Sequence, residues 1–194
     1  INLRAIKAAP GEEAQPFNHF VRMESPVFKP APADTAISFN SQPITNLTGH
    51  WNWIHSIQLG SDGAPVLAVA NGQEVRLTSG AHFPFPGGAS NVPPQPEGIT
   101  PLDFNYDFKT DLALAGAGGV RLMRQDGPGA FTDVTSQTKL PKSVTNAHYT
   151  GAWAVDIEAD GDLDIVLGSS EGIPTVLRNN GDGTFLAIHP FEKI

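Results

Sequence analysis

Ala154-Val-Asp-Ile-Glu-Ala-Asp-Gly-Asp-Leu-Asp-Ile-Val-Leu-Gly168 is the stretch that decides the fold. Acidic side chains stand at alternate positions, Asp156, Glu158, Asp160, Asp162 and Asp164, with Gly161 at the bend and the apolar run Ile165–Leu167 behind them. Alternating oxygen donors with a glycine for the sharp turn are what a hard cation requires, and calcium takes six to eight oxygens. The expected ligands are the side chains of Asp156, Glu158, Asp160 and Asp164, with the backbone carbonyl of Asp162 and water completing the shell. Five carboxylates this close repel one another strongly. A bound Ca2+ removes that repulsion and so helps the loop fold. An EF-hand also opens with alternating acids, but it needs a glutamate at its twelfth position, where Leu167 stands, and a helix on each side. The flanks here read as strands. The plain alternative is a solvated acidic turn with no ion.

Working outward, two further stretches repeat this one. Pro101-Leu-Asp-Phe-Asn-Tyr-Asp-Phe-Lys-Thr-Asp-Leu-Ala-Leu-Ala-Gly116 keeps the spacing, with candidate ligands Asp103, Asn105, Asp107 and Asp111 and the backbone carbonyl of Lys109. Phe108 occupies the place of the glycine, so the turn is harder to form and weaker binding, or none, is expected there. Ile57-Gln-Leu-Gly-Ser-Asp-Gly-Ala-Pro-Val-Leu-Ala-Val-Ala-Asn71 retains only Asp62 and Gly63 of the pattern and is expected to be metal-free. Aligned on the following apolar run, Gln58, Asp103 and Asp156 fall in register about 45 to 53 residues apart, close to the ~40–50 of a four-stranded propeller blade.

The surroundings of each copy agree. A strand is expected before each loop (Trp53–Leu59, Gly98–Phe104, Gly151–Ile157) and a short apolar strand after it (Val66–Ala70, Leu112–Ala115, Ile165–Leu167). A glycine- or asparagine-containing turn leads to another (Glu74–Leu77, Gly119–Met123, Pro174–Arg178), and in the last two copies a glycine-rich turn launches a further one. This makes the chain all-β, a propeller or partial propeller of four-stranded antiparallel blades, about three of them. Residues 51–97 read as a degenerate blade, 98–147 as a blade with a partial calcium loop, and 148–194 as a blade with a full one. Residues 1–50 are an irregular, proline-rich N-terminal segment that could form part of an incomplete blade, with a short helical turn or extended tail at Ile1–Lys7 and an outer strand at Ala36–Phe39 as candidates. The proline-rich stretch Phe83–Pro96 is expected to link the first two blades on the surface.

Composition sets the limits. Of 194 residues, 20 are Gly and 17 Pro, a turn-rich count that argues against helical bundles. The net charge of −8 disfavours nucleic acid and anionic membrane surfaces as partners. The absence of cysteine excludes disulfides and thiol chemistry. No apolar run approaches the ~20 residues of a membrane helix. The chain opens on Ile1 and shows no signal peptide, so it is expected to be a piece of something longer.

With the loop Asp-x-Glu-x-Asp-Gly-x-x-Asp, the strand Ile-Val-Leu-Gly and the following Leu-Arg-Asn-Asn-Gly-Asp-Gly-Thr-Phe in view, the chain resembles the FG-GAP/VCBS repeat, the calcium-binding blade of integrin-α-like β-propellers. Ala130-Phe-Thr-Asp-Val-Thr135 looks like an outer strand of the same blade. The likeness runs from Trp51 to about Ile188, strongest in the third copy and faint in the first. It departs from the family pattern at Glu158, at Phe108 and throughout Gln58–Val66. The resemblance implies an exported protein (extracellular, periplasmic or at the cell surface) that binds or adheres to a protein or carbohydrate. Closed propellers need at least four blades, so the rest of a larger propeller, or another copy of the chain, is expected to cover the open edge.

Catalysis is the competing function. His19, His50, His55, His82, His148 and His189 lie in no nucleophile or metalloprotease motif, and each reads as a surface or packing residue. Trp51, Trp53 and Trp153 read as packing within the first strands, with a sugar-stacking platform as the alternative. Asn46-Leu-Thr48 matches a glycosylation acceptor that is common by chance, and the glycines at 116–119 lie between strands, where a phosphate cradle is not built. A propeller-type polysaccharide lyase or glycosidase would need two carboxyls about 5–9 Å apart in a cleft away from the metal loops.

Overall fold

A computed structural model of the chain describes residues 27, 29, 30, 38–44, 46–60, 63–170 and 172–191. Residues 43–194 form one compact unit and 1–42 another. In the latter, Val27 and Phe39 are exposed and no described residue is in a strand. The helical turn expected at Ile1–Lys7 lies outside the described residues. Of the outer strand expected at Ala36–Phe39, only Ser38 and Phe39 are described, and neither is in a strand.

The unit 43–194 is all-β, with three four-stranded antiparallel sheets in chain order. The first comprises β1 (Trp53–Ile57), β2 (Val66–Ala70), β3 (Glu74–Leu77) and β4 (His82–Pro84). The second comprises β5 (Ile99–Leu102), β6 (Asp111–Gly116), β7 (Gly119–Gly127) and β8 (Ala130–Asp133). The third comprises β9 (Gly151–Val155), β10 (Asp164–Gly168), β11 (Thr175–Asn179) and β12 (Phe185–Ile188). Each sheet meanders strand to strand, so β1, β5 and β9 are equivalent edges. The only helical pieces among the described residues are a 3-10 turn at Thr135–Gln137 and the single-turn α1 (Lys142–Thr145). This is a partial propeller of three blades; no sheet closes on itself.

Sequence periodicity explains why the blades stack. Side chains alternate across a strand with period two. In the middle blade Leu112, Leu114 and Met123 therefore pack against Trp53, Ala68, Val75 and Phe83 of the first. Ala113, Ala115, Val120 and Leu122 face Ile165, Leu167, Leu177 and Phe185 of the third. Covered on both sides, β6 is buried along its whole length, which accounts for its unbroken apolar run. Small residues on β6 let neighbouring sheets approach, and large ones across the gap fill the space at roughly 1.5–3 kcal/mol per buried Leu or Phe. Aromatic pairs close both interfaces: Phe83 and Phe131 lie 5.5 Å apart, and Phe104 and Phe185 6.2 Å apart edge to face.

The far face of the first blade is polar instead. Glu74 holds His82 at 2.6 Å and Arg76 at 3.2 Å, and the Arg76 guanidinium lies 5.6 Å from the Trp51 ring centre. Residues 46–51 lie along this blade: the Asn46 amide donates to the Thr78 carbonyl, the Trp51 indole N–H donates to the Leu47 carbonyl, and Leu47 is buried.

The stretch Phe83–Pro96 departs from expectation. It is not a plain surface link, because its first two residues complete β4 and Phe85 enters the core between blades one and two. Backbone contact is close here: a Cβ on Gly87 would lie 2.0 Å from the Gly72 carbonyl oxygen. The three tryptophans also divide. Trp53 is buried, with its indole N–H on the Pro96 carbonyl, whereas Trp153 is 44% exposed.

Candidate metal centre

The loops between the first two strands of blades two and three share one backbone path. Tyr106 and Ala159 take φ of 60° and 56°, and two residues further Phe108 and Gly161 take 61° and 100°. The left-handed conformation costs a non-glycine residue about 1–2 kcal/mol. Phe108 bears that strain in the place where the third loop has glycine, and it is almost fully exposed, so no packing offsets it. Phe108→Gly is therefore expected to raise stability by up to about 1 kcal/mol, part of the relieved strain being lost to the greater freedom of glycine in the unfolded chain. Chemical denaturation in the presence of chelator measures it; a destabilised variant contradicts it.

The turns are held by their own carboxylates. Asp156 accepts from the N–H groups of Asp160 (3.2 Å) and Gly161 (3.0 Å), and Asp160 from that of Asp162 (3.0 Å). In the second loop Asp103 accepts from Asn105 (3.3 Å) and Phe108 (2.9 Å), Asn105 from Asp107 (3.2 Å), and Asp107 from Lys109 (3.0 Å). Donors spaced for a cation thus also serve as the acceptors that bend the chain.

The last acid of each loop has a second use that spacing alone did not reveal. Asp164 is buried at the start of β10 and accepts from the N–H of Ile157 (2.9 Å) and of Asn179 on β11 (2.8 Å). Asp111 does the same at the start of β6, accepting from Phe104 (3.3 Å) and from Gln125 on β7 (2.7 Å). Each carboxylate pins its loop to the neighbouring strand. The signal was present as an amide side chain 14 or 15 residues downstream, Gln125 and Asn179, whose own side chains complete the network. Gln125 Oε1 accepts from Thr110 N–H, and Asn179 Nδ2 donates to the carbonyls of Phe104 and Leu163. The Asn179 amide also ties the third loop to the second, as does the Tyr106 hydroxyl, which donates to the Gly161 carbonyl.

The three loops differ in how positive charge reaches them. In the first, the Gln58 amide donates to the carbonyls of Gly60 and of Gly63 (2.7 Å); Asp62 lies outside the described residues. In the second, the Lys109 ammonium stands 2.8 Å from Asp107. Burial works to raise the Asp107 pKa, but the hydrogen bond and charge of Lys109 outweigh it and hold the carboxyl below its usual range. In the third, Arg178 pairs with Glu158 at 3.3 Å, while Asp156, Asp160, Asp162 and Asp164 have no cationic partner among the described residues. As placed, no three acidic or histidine side chains among the described residues stand close enough to enclose an ion. In donor chemistry the third loop nonetheless fits a hard cation: every candidate is an oxygen, the backbone is already bent, and four of the five carboxylates lack a counter-charge among the described residues. The second loop fits less well, because beside the Lys109–Asp107 pair it keeps only Asp103 and Asp111 as carboxylates without a counter-charge.

Of the remaining candidates, the Glu74–His82 pair is bound to Arg76 on the outer face of the first blade, and His55 and Glu97 both line a groove at the blade edges. No helix of the described residues is long and apolar enough to cross a membrane.

Residues 103–167 match the family described as an FG-GAP-like repeat. The match spans both carboxylate loops, from the first acid of the second to the strand behind the third, so the chain carries an FG-GAP-like repeat in a propeller-type module. Repeats of this kind are typical of extracellular or surface proteins. No curated protein and no solved structure matches the chain.

Proposed function

We propose that this chain is a calcium-stabilised propeller segment of an exported protein and acts as a binding or adhesion module for a protein or carbohydrate. The observation that carries the reading is the charge imbalance of the third loop, five acids against one arginine, on a backbone bent at Ala159 and Gly161. Asp156, Glu158, Asp160 and Asp164 would hold Ca2+ through side chains, and Asp162 through its carbonyl. The ion's role is structural: it relieves repulsion and fixes the loop between β9 and β10. Weak sites fill at extracellular calcium levels, which agrees with a location outside the cytoplasm. The second loop is the weaker site, with Asp103, Asn105, Asp107, Asp111 and the Lys109 carbonyl as its donors. An open edge beside the blades is the natural place for the rest of a larger propeller or another copy of the chain. The competing reading, a propeller-type lyase or glycosidase, needs two converging carboxyls; the groove along the blade edges is lined by one, Glu97.

Terbium, which takes calcium's oxygen ligands, tests the site. Tyr106 lies against the third loop through its bond to Gly161, so excitation of the protein's aromatic residues is expected to sensitise terbium emission that added calcium quenches. Asp160→Ala is expected to remove most of that signal. Emission that calcium does not displace contradicts the reading.

A further inference from the structure

The edge strands β1, β5 and β9 lie side by side along a groove of about 670 Å³. Hydrogen bonds between blades form its floor: Ala152 N–H donates to the Glu97 carbonyl (2.8 Å), Thr100 Oγ1 to the Ala152 carbonyl (2.6 Å), and the Trp53 indole to the Pro96 carbonyl (3.1 Å). Two features of this groove stay open to solvent.

One is Trp153. Its six-membered ring rests against Gly151 and Gly168, which face each other across β9 and β10. A Cβ on Gly168 would come within 2.8 Å of the ring, and one on Gly151 within 3.0 Å. The glycine pair clears a seat for the indole, yet 44% of the residue stays exposed to the groove. The other feature is a set of exposed polar side chains lining the same groove. Glu97 packs its stem against the same Gly151 and so sits beside the Trp153 ring, while Asn52 and His55 line the wall contributed by the first blade. All three are exposed, and none has a side-chain hydrogen bond or ion pair among the described residues; the His55 ring lies tilted 5.8 Å from that of Trp53.

We propose that this groove binds a neutral oligosaccharide, one pyranose ring lying on the open face of Trp153 beside Glu97 and further units running along the groove to Asn52 and His55. The chemistry of a sugar ring is matched on both sides. Its C–H face is apolar and suits a large, rigid aromatic surface, and its rim of hydroxyls needs donors and acceptors placed around that surface. Glu97 accepts only, Asn52 does both, and His55 does one at each ring nitrogen. Glu97 is also the only formal charge lining the groove, on a chain of net charge −8, which disfavours anionic glycans. The inference rests on the reading of the chain as a binding module and names its ligand class; it does not depend on calcium.

Titration calorimetry of the whole chain against cellohexaose, laminarihexaose and chitohexaose, with heparin and oligogalacturonate as anionic controls, tests it. Saturable binding of at least one neutral oligomer is expected, weakened tenfold or more in Trp153→Ala and several-fold in Glu97→Gln. Trp153→Phe should restore part of the affinity, and the Glu97 variant guards against the loss of Trp153 simply unfolding the blade. No binding by any neutral probe, equal binding by the Trp153 and Glu97 variants, or preference for the anionic glycans overturns the proposal. Capture of a peptide or protein through Trp153, with no saccharide bound, also overturns it while leaving the binding-module reading intact.

Discussion

Asp164→Ala and Asp111→Ala are each expected to cost roughly 2–6 kcal/mol, and to do so whether or not calcium is present. Each removes a buried carboxylate that accepts two backbone N–H groups, from Ile157 and Asn179 in one case and from Phe104 and Gln125 in the other. An unsatisfied buried donor costs about 1–3 kcal/mol, and two per site is a large share of the 5–15 kcal/mol that keeps a domain folded. Urea denaturation in chelator is the measurement. A loss below about 1 kcal/mol would show that these acids matter only as ion ligands. Asp111 adds a pH signature in the same chelated protein. Burial pushes its pKa from 3.8 up to about 6, against the pull of the Gln125 and Phe104 N–H groups, with Asp107 and Asp103 adding to the rise. Between these values the folded chain binds the proton and the unfolded chain does not, so stability falls as pH rises from about 4 to 6. The effect is on the order of 1–3 kcal/mol, and Asp111→Asn should flatten it.

The blades were legible because their signals were local and repeated. The acid loops, the apolar run behind each and the glycine turns locate β2, β6 and β10 to within a residue, and β3 is as expected, Glu74–Leu77. The strands before the loops end two residues earlier than expected, since Leu59, Phe104 and Ile157 already belong to the turns. Phe85 was misplaced because proline-rich surroundings advertise a surface link, while the aromatic ring answers to a non-local cavity between two blades. The double role of Asp111 and Asp164 was hidden for the same reason. Their partners on β7 and β11 come into reach only once the strands pair. Trp153 shows the limit from the other side: nothing local distinguishes it from buried Trp53, and the two glycines that seat its ring, Gly151 and Gly168, come together only when β9 and β10 pair.

The second large effect is on heat stability. With free calcium at about a hundred times the dissociation constant, binding to the folded state alone adds about 2.7 kcal/mol. For a chain of this size each kcal/mol moves the melting point by about 2–4 °C, so chelation is expected to lower it by roughly 5–10 °C. Asp160→Ala should abolish most of that shift, because its carboxylate lies in the loop with the larger excess of acids, five against one arginine, where the second loop has three against one lysine. Asp107→Ala should leave the shift almost unchanged, since Lys109 already stands at that position in the second loop. A chelator shift that survives Asp160→Ala but vanishes in Asp107→Ala would move the ion to the second loop.

Counting bound ions tests the central claim most directly. Calorimetric titration of the calcium-free chain with Ca2+ is expected to give one tight site per molecule in the wild type and none in Asp160→Ala. A flat isotherm for the wild type, or a full site that persists without Asp160, contradicts an ion held between Asp156 and Asp164.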